Sequence, residues 1–336
     1  MVEIIEIGAP FYCLPRPCVL GEGPIFRDSD NTLHYNDCLS NPPQIHILSV
    51  DPATGDAIVP GVEFTEASTA IANKTIPGLK VLDLEDSVTV QFFRKNHPKS
   101  YICAYYQGIA FLDEETGKLD VLKEIIPNDE RHIRRFNDGA VDCKGRFWAA
   151  EIDVKGLAFG VGKLPTDYGT PLGRLWRYDP DGGLTQMEDG LVCGNGLAWS
   201  PDNTKMYLND SVSQLTFVYD FDQETGSISN KKIFIDNRGK IGEPDGMVVD
   251  VEGNLWIAMY NGFAVNVYNP HGELIKQVKL DAKCLACTTW GGKDSDVIYV
   301  VSAYNKFDDR TPEDAGGHLF KFKTGVKGVS KYEFAG

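Results

Sequence analysis

The chain has 336 residues, 48 of them acidic and 33 basic, for a net charge of −15 at pH 7. That charge repels nucleic-acid phosphates and anionic membrane surfaces, which argues against both as partners and leaves cations and neutral small molecules. A hydrophobic content of 42% with 11% aromatics, 34 Gly and 18 Pro excludes a disordered chain and describes packable strands separated by turns.

The opening Met1-Val2-Glu3-Ile4-Ile5-Glu6-Ile7 carries two acids where a secretory leader is basic and has no apolar run of the needed length, so a cytoplasmic protein is expected. In that compartment the eight cysteines are expected to be small buried hydrophobes, not a disulfide framework. Further along, short runs rich in Val, Ile, Tyr, Phe and Trp are closed by Gly, Asp, Asn or Pro: Gly145–Ala150, Gly173–Tyr178, Lys205–Asn209, Gly253–Ala258 and Asp296–Val301. Two of them belong to a longer pattern, V-D-x-x-G-x-x-W, at 141–148 and 249–256, each preceded by an Asp-Gly pair, with a related segment at 195–202 between them. The implied repeat of roughly 50 to 58 residues divides the chain into about six units, which predicts an all-β fold, a six-bladed β-propeller formed by residues 1–336 as one domain. The stretch 154–171, Gly- and Pro-rich from Leu157 to Pro171, breaks the strand rhythm and is expected to be a lid loop over one face.

Motifs for serine hydrolases, zinc proteases and phosphate-binding loops are missing. Cys284 and Cys287 form a single C-x-x-C without partner ligands, and the six histidines are scattered, so neither is expected to hold a metal. Four polar turns remain: Gly21-Glu22-Gly23-Pro24, Arg135-Phe136-Asn137-Asp138-Gly139, Gly194-Asn195-Gly196-Leu197 and Pro244-Asp245-Gly246-Met247. Each sets a carboxylate or amide beside a glycine, and blade-scale spacing would bring them to the axis of a ring. Converged, Glu22, Asn195 and Asp245 form an all-oxygen set suited to a hard divalent ion. Two buried carboxylates without a cation would repel, and one would take up a proton.

At these residues the sequence resembles the family of senescence marker protein (regucalcin), gluconolactonase and luciferin-regenerating enzyme. The matching strings are GEGP at 21–24, R-x-NDG at 135–139, NGLAWSPD at 195–202, PDGM-x-x-D-x-EG-x-LW at 244–256, GG at 291–292 and GVKG at 325–328. The resemblance implies a six-bladed propeller with one divalent metal in the central channel, Ca first and Mg, Mn or Zn as alternatives. It implies Glu22, Asn195 and Asp245 as metal ligands and Arg135 and Asn137 as substrate contacts, with Asn137 able to join the metal shell and Asp138 a supporting turn residue. The implied reaction is metal-dependent opening of a sugar lactone, with Asp245 as general base and Arg135 orienting the substrate. A phosphotriester, aryl ester or specialised metabolite as substrate, and a calcium-binding propeller without turnover, are the alternatives. The expected assembly is a monomer or weak homo-oligomer. The sequence departs from the family where an acidic sugar contact is expected: that position falls near Lys155, with Glu151 and Asp153 earlier. The stretch from about Thr65 to Ser100 also fits poorly.

Overall fold

Runs of β-branched and aromatic residues become strands wherever Gly, Asn or Asp supplies a tight reversal between them. In the computed structural model, which describes residues 2–58, 61, 78–306, 309–329 and 331–336, they build six sheets arranged as the blades of a β-propeller. Strand β1 (Glu3–Gly8) comes first and is used last, as described below. Blade 1 is β2 (Gly21–Arg27), β3 (Thr32–Asp37), β4 (Gln44–Ser49) and β5 (Leu79–Asp83); blade 2 is β6 (Val88–Arg94), β7 (His97–Tyr105), β8 (Gly108–Asp113) and β9 (Leu119–Glu124). Blade 3 is β10 (Arg134–Val141), β11 (Phe147–Asp153), β12 (Gly173–Tyr178) and β13 (Leu184–Leu191); blade 4 is β14 (Gly194–Trp199), β15 (Lys205–Asp210), β16 (Leu215–Asp222) and β17 (Ser227–Asp236). Blade 5 is β18 (Glu243–Val249), β19 (Leu255–Tyr260), β20 (Ala264–Tyr268) and β21 (Leu274–Leu280), and blade 6 is β22 (Leu285–Gly291), β23 (Val297–Ser302) and β24 (Phe320–Lys323).

Within each blade successive strands pair antiparallel, and the innermost strands β2, β6, β10, β14, β18 and β22 pack against one another in ring order. The expected propeller is thus observed, and all five strand segments read from the sequence are strands. The ring is closed by the chain's beginning: β1 adds to blade 5 in parallel with β21, and Tyr12 pairs with Leu319 as an outer edge for the three-stranded blade 6. Of the poorly fitting stretch, residues 65–77 lie outside the described residues; the rest contains β5, β6 and the start of β7.

The V-D-x-x-G-x-x-W pattern has a physical reason that spacing alone does not show. Asp142 is fully buried and accepts from Trp148 Nε1 at 2.9 Å, from Arg146 Nε at 2.7 Å and from the backbone N–H groups of Lys144 and Arg146. Asp250 repeats this with Trp256 Nε1 at 2.9 Å and Asn254 Nδ2 at 2.8 Å. One carboxylate therefore ties the turn to the aromatic of the next strand. The indoles then bridge blades, Trp148 edge-on to Trp199 and Trp256 edge-on to Trp290, each with centroids 5.9 Å apart. The cysteines are all free thiols, and six of the eight are buried.

Asp142→Ala strands a buried guanidinium and an indole N–H, and a loss of about 3–5 kcal/mol in urea-unfolding free energy is expected. Asp236→Ala, which removes an exposed pair with Arg238, should leave the urea midpoint unchanged.

Candidate active site

Every innermost strand carries a register shift against its neighbour at the same level of the channel: Glu22/Ile25 in β2, Val88/Val90 in β6, Phe136/Gly139 in β10, Gly194/Leu197 in β14, Pro244/Met247 in β18 and Leu285/Cys287 in β22. A bulge of this kind releases residues from the ladder and re-aims their side chains. The four polar turns of the sequence are four of these bulges. They lie inside the innermost strands and not in the turns that the sequence suggested. Glycine is needed because the bulged strands approach closely: a Cβ on Gly196 would stand 2.4 Å from Asp245 O, and one on Gly246 2.2 Å from Cys287 Sγ.

Glu22, Asn195 and Asp245 stand near the starts of the innermost strands β2, β14 and β18, and the Asp245 carboxyl faces both Asn195 and Glu22 at that end of the channel, its mouth. All three are buried. Asn195 donates from Nδ2 to Ser211 Oγ at 3.0 Å, and Ser211 Oγ donates in turn to Pro244 O at 2.8 Å, so blades 4 and 5 are bonded through the site. Glu22 Oε2 has only a long contact of 3.4 Å from Gly23 N–H, and Asp245 Oδ1 is buried with no hydrogen-bond partner. Burial first and Glu22 second push the Asp245 carboxyl well above the usual carboxylate range; burial and then Asp138 do the same to Glu22. Asp138, buried in the same channel, is pushed up to about 6 by desolvation.

Among the described residues no cluster of three or more His, Cys, Asp and Glu side chains is placed to hold a metal ion. The candidate set is mixed, two carboxylates completed by the Asn195 amide, and its fit to a hard cation rests on the orphaned Asp245 oxygen and on mutual carboxylate repulsion. Arg135 stands at the rim with its guanidinium 5.0 Å from the Tyr106 ring centre, on which Arg131, paired with Asp86, also stacks. Asn137 donates from Nδ2 to Gly194 O at 3.0 Å, joining blade 3 to blade 4 beside Asn195.

A family model described as "SMP-30/Gluconolactonase/LRE-like region" matches residues 20–304. The chain belongs to this family. It is 28% identical over 321 residues to regucalcin from Danio rerio, covering 94% of this chain and 95% of the relative. Over 321 residues it is also 28% identical to pentonolactonase XacC from Haloferax volcanii, covering 94% of each. The crystal structure of a calcium-binding protein, regucalcin, from Agrobacterium tumefaciens superposes with a TM-score of 0.79 at 23% identity over 99% of each chain, which supports the fold.

Against the family pattern, the acids near the missing sugar contact are otherwise engaged. Glu151 accepts from Arg174 Nε and Nη2 and from Trp176 Nε1, each at 2.8 Å, inside blade 3. Asp153 caps α1 (Val154–Phe159) through Gly156 N–H and holds the following segment through the Tyr168 hydroxyl and Leu172 N–H. The stretch read as a lid loop thus begins with a short helix, and it leaves β11 at the rim that carries Arg134 and Arg135. Lys155 lies 5.6 Å from the Tyr168 ring centre. The sequence reading missed Tyr106 and Ser211, neither of which sits in a recognisable motif, and undervalued Asp138, which stood within R-x-NDG.

The buried acids set a testable pH response. With folded-state values above those of the unfolded chain, Glu22 and Asp245 stabilise fully only below the ordinary carboxylate range, and that stability is lost as pH rises through the folded values. His34 and His46 act oppositely: burial holds them down to about 3 and about 4, so stability falls as pH drops below about 6.5. Between the ordinary carboxylate range and about pH 6.5 the two sets oppose each other, so in chelator the melting temperature should decline above about pH 6.5, where the histidines no longer compensate, and excess Ca²⁺ should remove that alkaline decline. A chelated protein with no alkaline decline would contradict the proton-holding carboxylates.

Proposed function

We propose that the protein is a metal-dependent hydrolase that opens a sugar lactone to its aldonic acid, with Glu22, Asn195 and Asp245 as ligands of one divalent cation, Ca²⁺ foremost. The observation that carries the reading is the pair of buried, mutually opposed carboxylates at the mouth, one with an oxygen left without a partner. Support comes from the family and from a relative named pentonolactonase that aligns with almost the whole chain. When bound, the cation supplies Lewis acidity for a lactone carbonyl.

The chain's own residues do the rest. Asp245 accepts the proton of the attacking water through its unpartnered oxygen as the new C–O bond forms, and the proton passes to the ring oxygen as its bond to the carbonyl carbon breaks. Arg135, fixed over Tyr106, orients the substrate's oxygens and faces the developing negative charge. Asn137 contributes a second polar contact at the rim, and the segment 154–171 covers that side of the mouth as a lid. The substrate is a small neutral lactone, and the −15 net charge keeps polyanions away.

Initial rates on aldonolactones, dihydrocoumarin and a phosphotriester, after chelation and re-addition of Ca, Mg, Mn or Zn, test this. Aldonolactone turnover that chelator abolishes is the expected result, with Asp245→Asn lowering kcat by about 10²–10⁴. Arg135→Ala should lower kcat/KM by about 10²-fold while Ca²⁺ affinity holds. Calcium binding without hydrolysis of any lactone would instead favour a purely calcium-binding propeller, the description carried by the Agrobacterium regucalcin structure.

A further inference from the structure

Residues 328, 329 and 331–336 cross the end of the channel opposite the mouth and bond to every blade. Val329 N–H donates to Val249 O of blade 5, Gly328 N–H to Ser295 O of blade 6, and Phe334 N–H to Phe93 O of blade 2. Ala335 N–H donates to Gly145 O of blade 3, and the Tyr332 hydroxyl accepts from Asn203 Nδ2 of blade 4. Blade 1 is reached by a side chain. Lys331, partly exposed as a residue, turns its ammonium inward, and Nζ donates to Pro24 O at 2.8 Å and to Thr288 O at 3.4 Å.

A neutral donor would satisfy these two carbonyls as well, and a charge here is costly unless matched. Lys331 lines the same cavity, of about 70 Å³, as Asp138, with an otherwise largely apolar wall that includes Val90, Met247 and Cys287. Each of the two favours the other's charged form, while burial alone disfavours both. The charges of the channel can be counted. Glu22, Asp138 and Asp245 place three buried carboxyls inside, while Arg135, acting on Glu22, and Glu243, acting on Asp245, are partly exposed and shared with solvent. Lys331 cancels one of the three, which leaves two, the charge of a divalent cation.

We propose that Lys331 is the fixed counter-charge of Asp138, a positioning residue that leaves Glu22 and Asp245 alone to be neutralised by the cation. This rests on the cation reading above and adds that the floor of the ring sets the electrostatics of its mouth.

The test is Ca²⁺ titration calorimetry of the full chain as wild type, D138N, K331Q and the double variant, with melting curves to confirm folding. The side-chain amide that D138N introduces can still accept from Gly139 N–H, and the glutamine of K331Q keeps a donor for the two carbonyls. D138N should weaken Ca²⁺ binding about tenfold, K331Q should tighten it several-fold, and the double variant should return to within about threefold of wild type. K331M, which lacks the donor, must share the sign of K331Q. Unchanged affinity in D138N, or K331Q weakening binding so that the two losses multiply, would overturn the proposal, because a purely structural lysine predicts that pattern. Wild-type protein that binds none of Ca²⁺, Mg²⁺, Mn²⁺ and Zn²⁺ would instead overturn the cation reading, and the proposal with it.

Discussion

The repeated register shift of the innermost strands is the constraint on which the rest of this molecule depends. A regular ladder would alternate its side chains between the two faces of each blade, and few would point along the axis. By inserting residues at the same level in six strands, the fold turns Glu22, Asn137, Asp138, Asn195 and Asp245 toward one channel. The adjoining glycines follow from the same constraint, since the bulged backbones leave no room for a Cβ at Gly196 or Gly246.

Concentrating acids in this way carries an electrostatic cost that the surroundings only partly meet. Asn195 and backbone N–H groups offer hydrogen bonds, but Asp245 Oδ1 has none, and each carboxylate opposes the ionisation of the next. A site in that condition favours positive charge. The same imbalance suits both a catalytic lactonase and a calcium-binding protein, and relatives carry both kinds of name. What distinguishes the two readings is the rim, where Arg135 is held by an aromatic face with no carboxylate paired to it among the described residues. Under the proposed lactonase reading, a side-chain cation left available at the mouth would meet substrate oxygens, whereas a purely calcium-binding reading gives it no role.

Stability and function are built from the same parts. The buried Asp142 and Asp250 anchors hold the β10–β11 and β18–β19 turns to their indoles, and the indoles hold neighbouring blades. The strand at the start of the chain and the segment at the floor tie the ring at its rim and base. Rigid closure matters because the proposed ligand set is drawn from three separate blades, and any slippage between them would separate Glu22 from Asp245.

The propeller was legible in the sequence because its signals are local: strand runs, turn glycines and the V-D-x-x-G-x-x-W repeat each reflect contacts within a few residues. Glu22, Asn195 and Asp245 were legible for the same reason, as polar residues beside glycine at blade intervals. Glu151 and Asp153 were not, since their engagement with Arg174, Trp176 and Tyr168 depends on how blade 3 and its following segment fold back. Tyr106, beneath Arg135, and Lys331, beneath Asp138, likewise carry no motif and acquire meaning only when distant segments meet. Sequence by itself determined the blades and the chemical type of the mouth. Tertiary structure decided which charges face one another, because burial and proximity across the ring, not neighbourhood along the chain, set their energies.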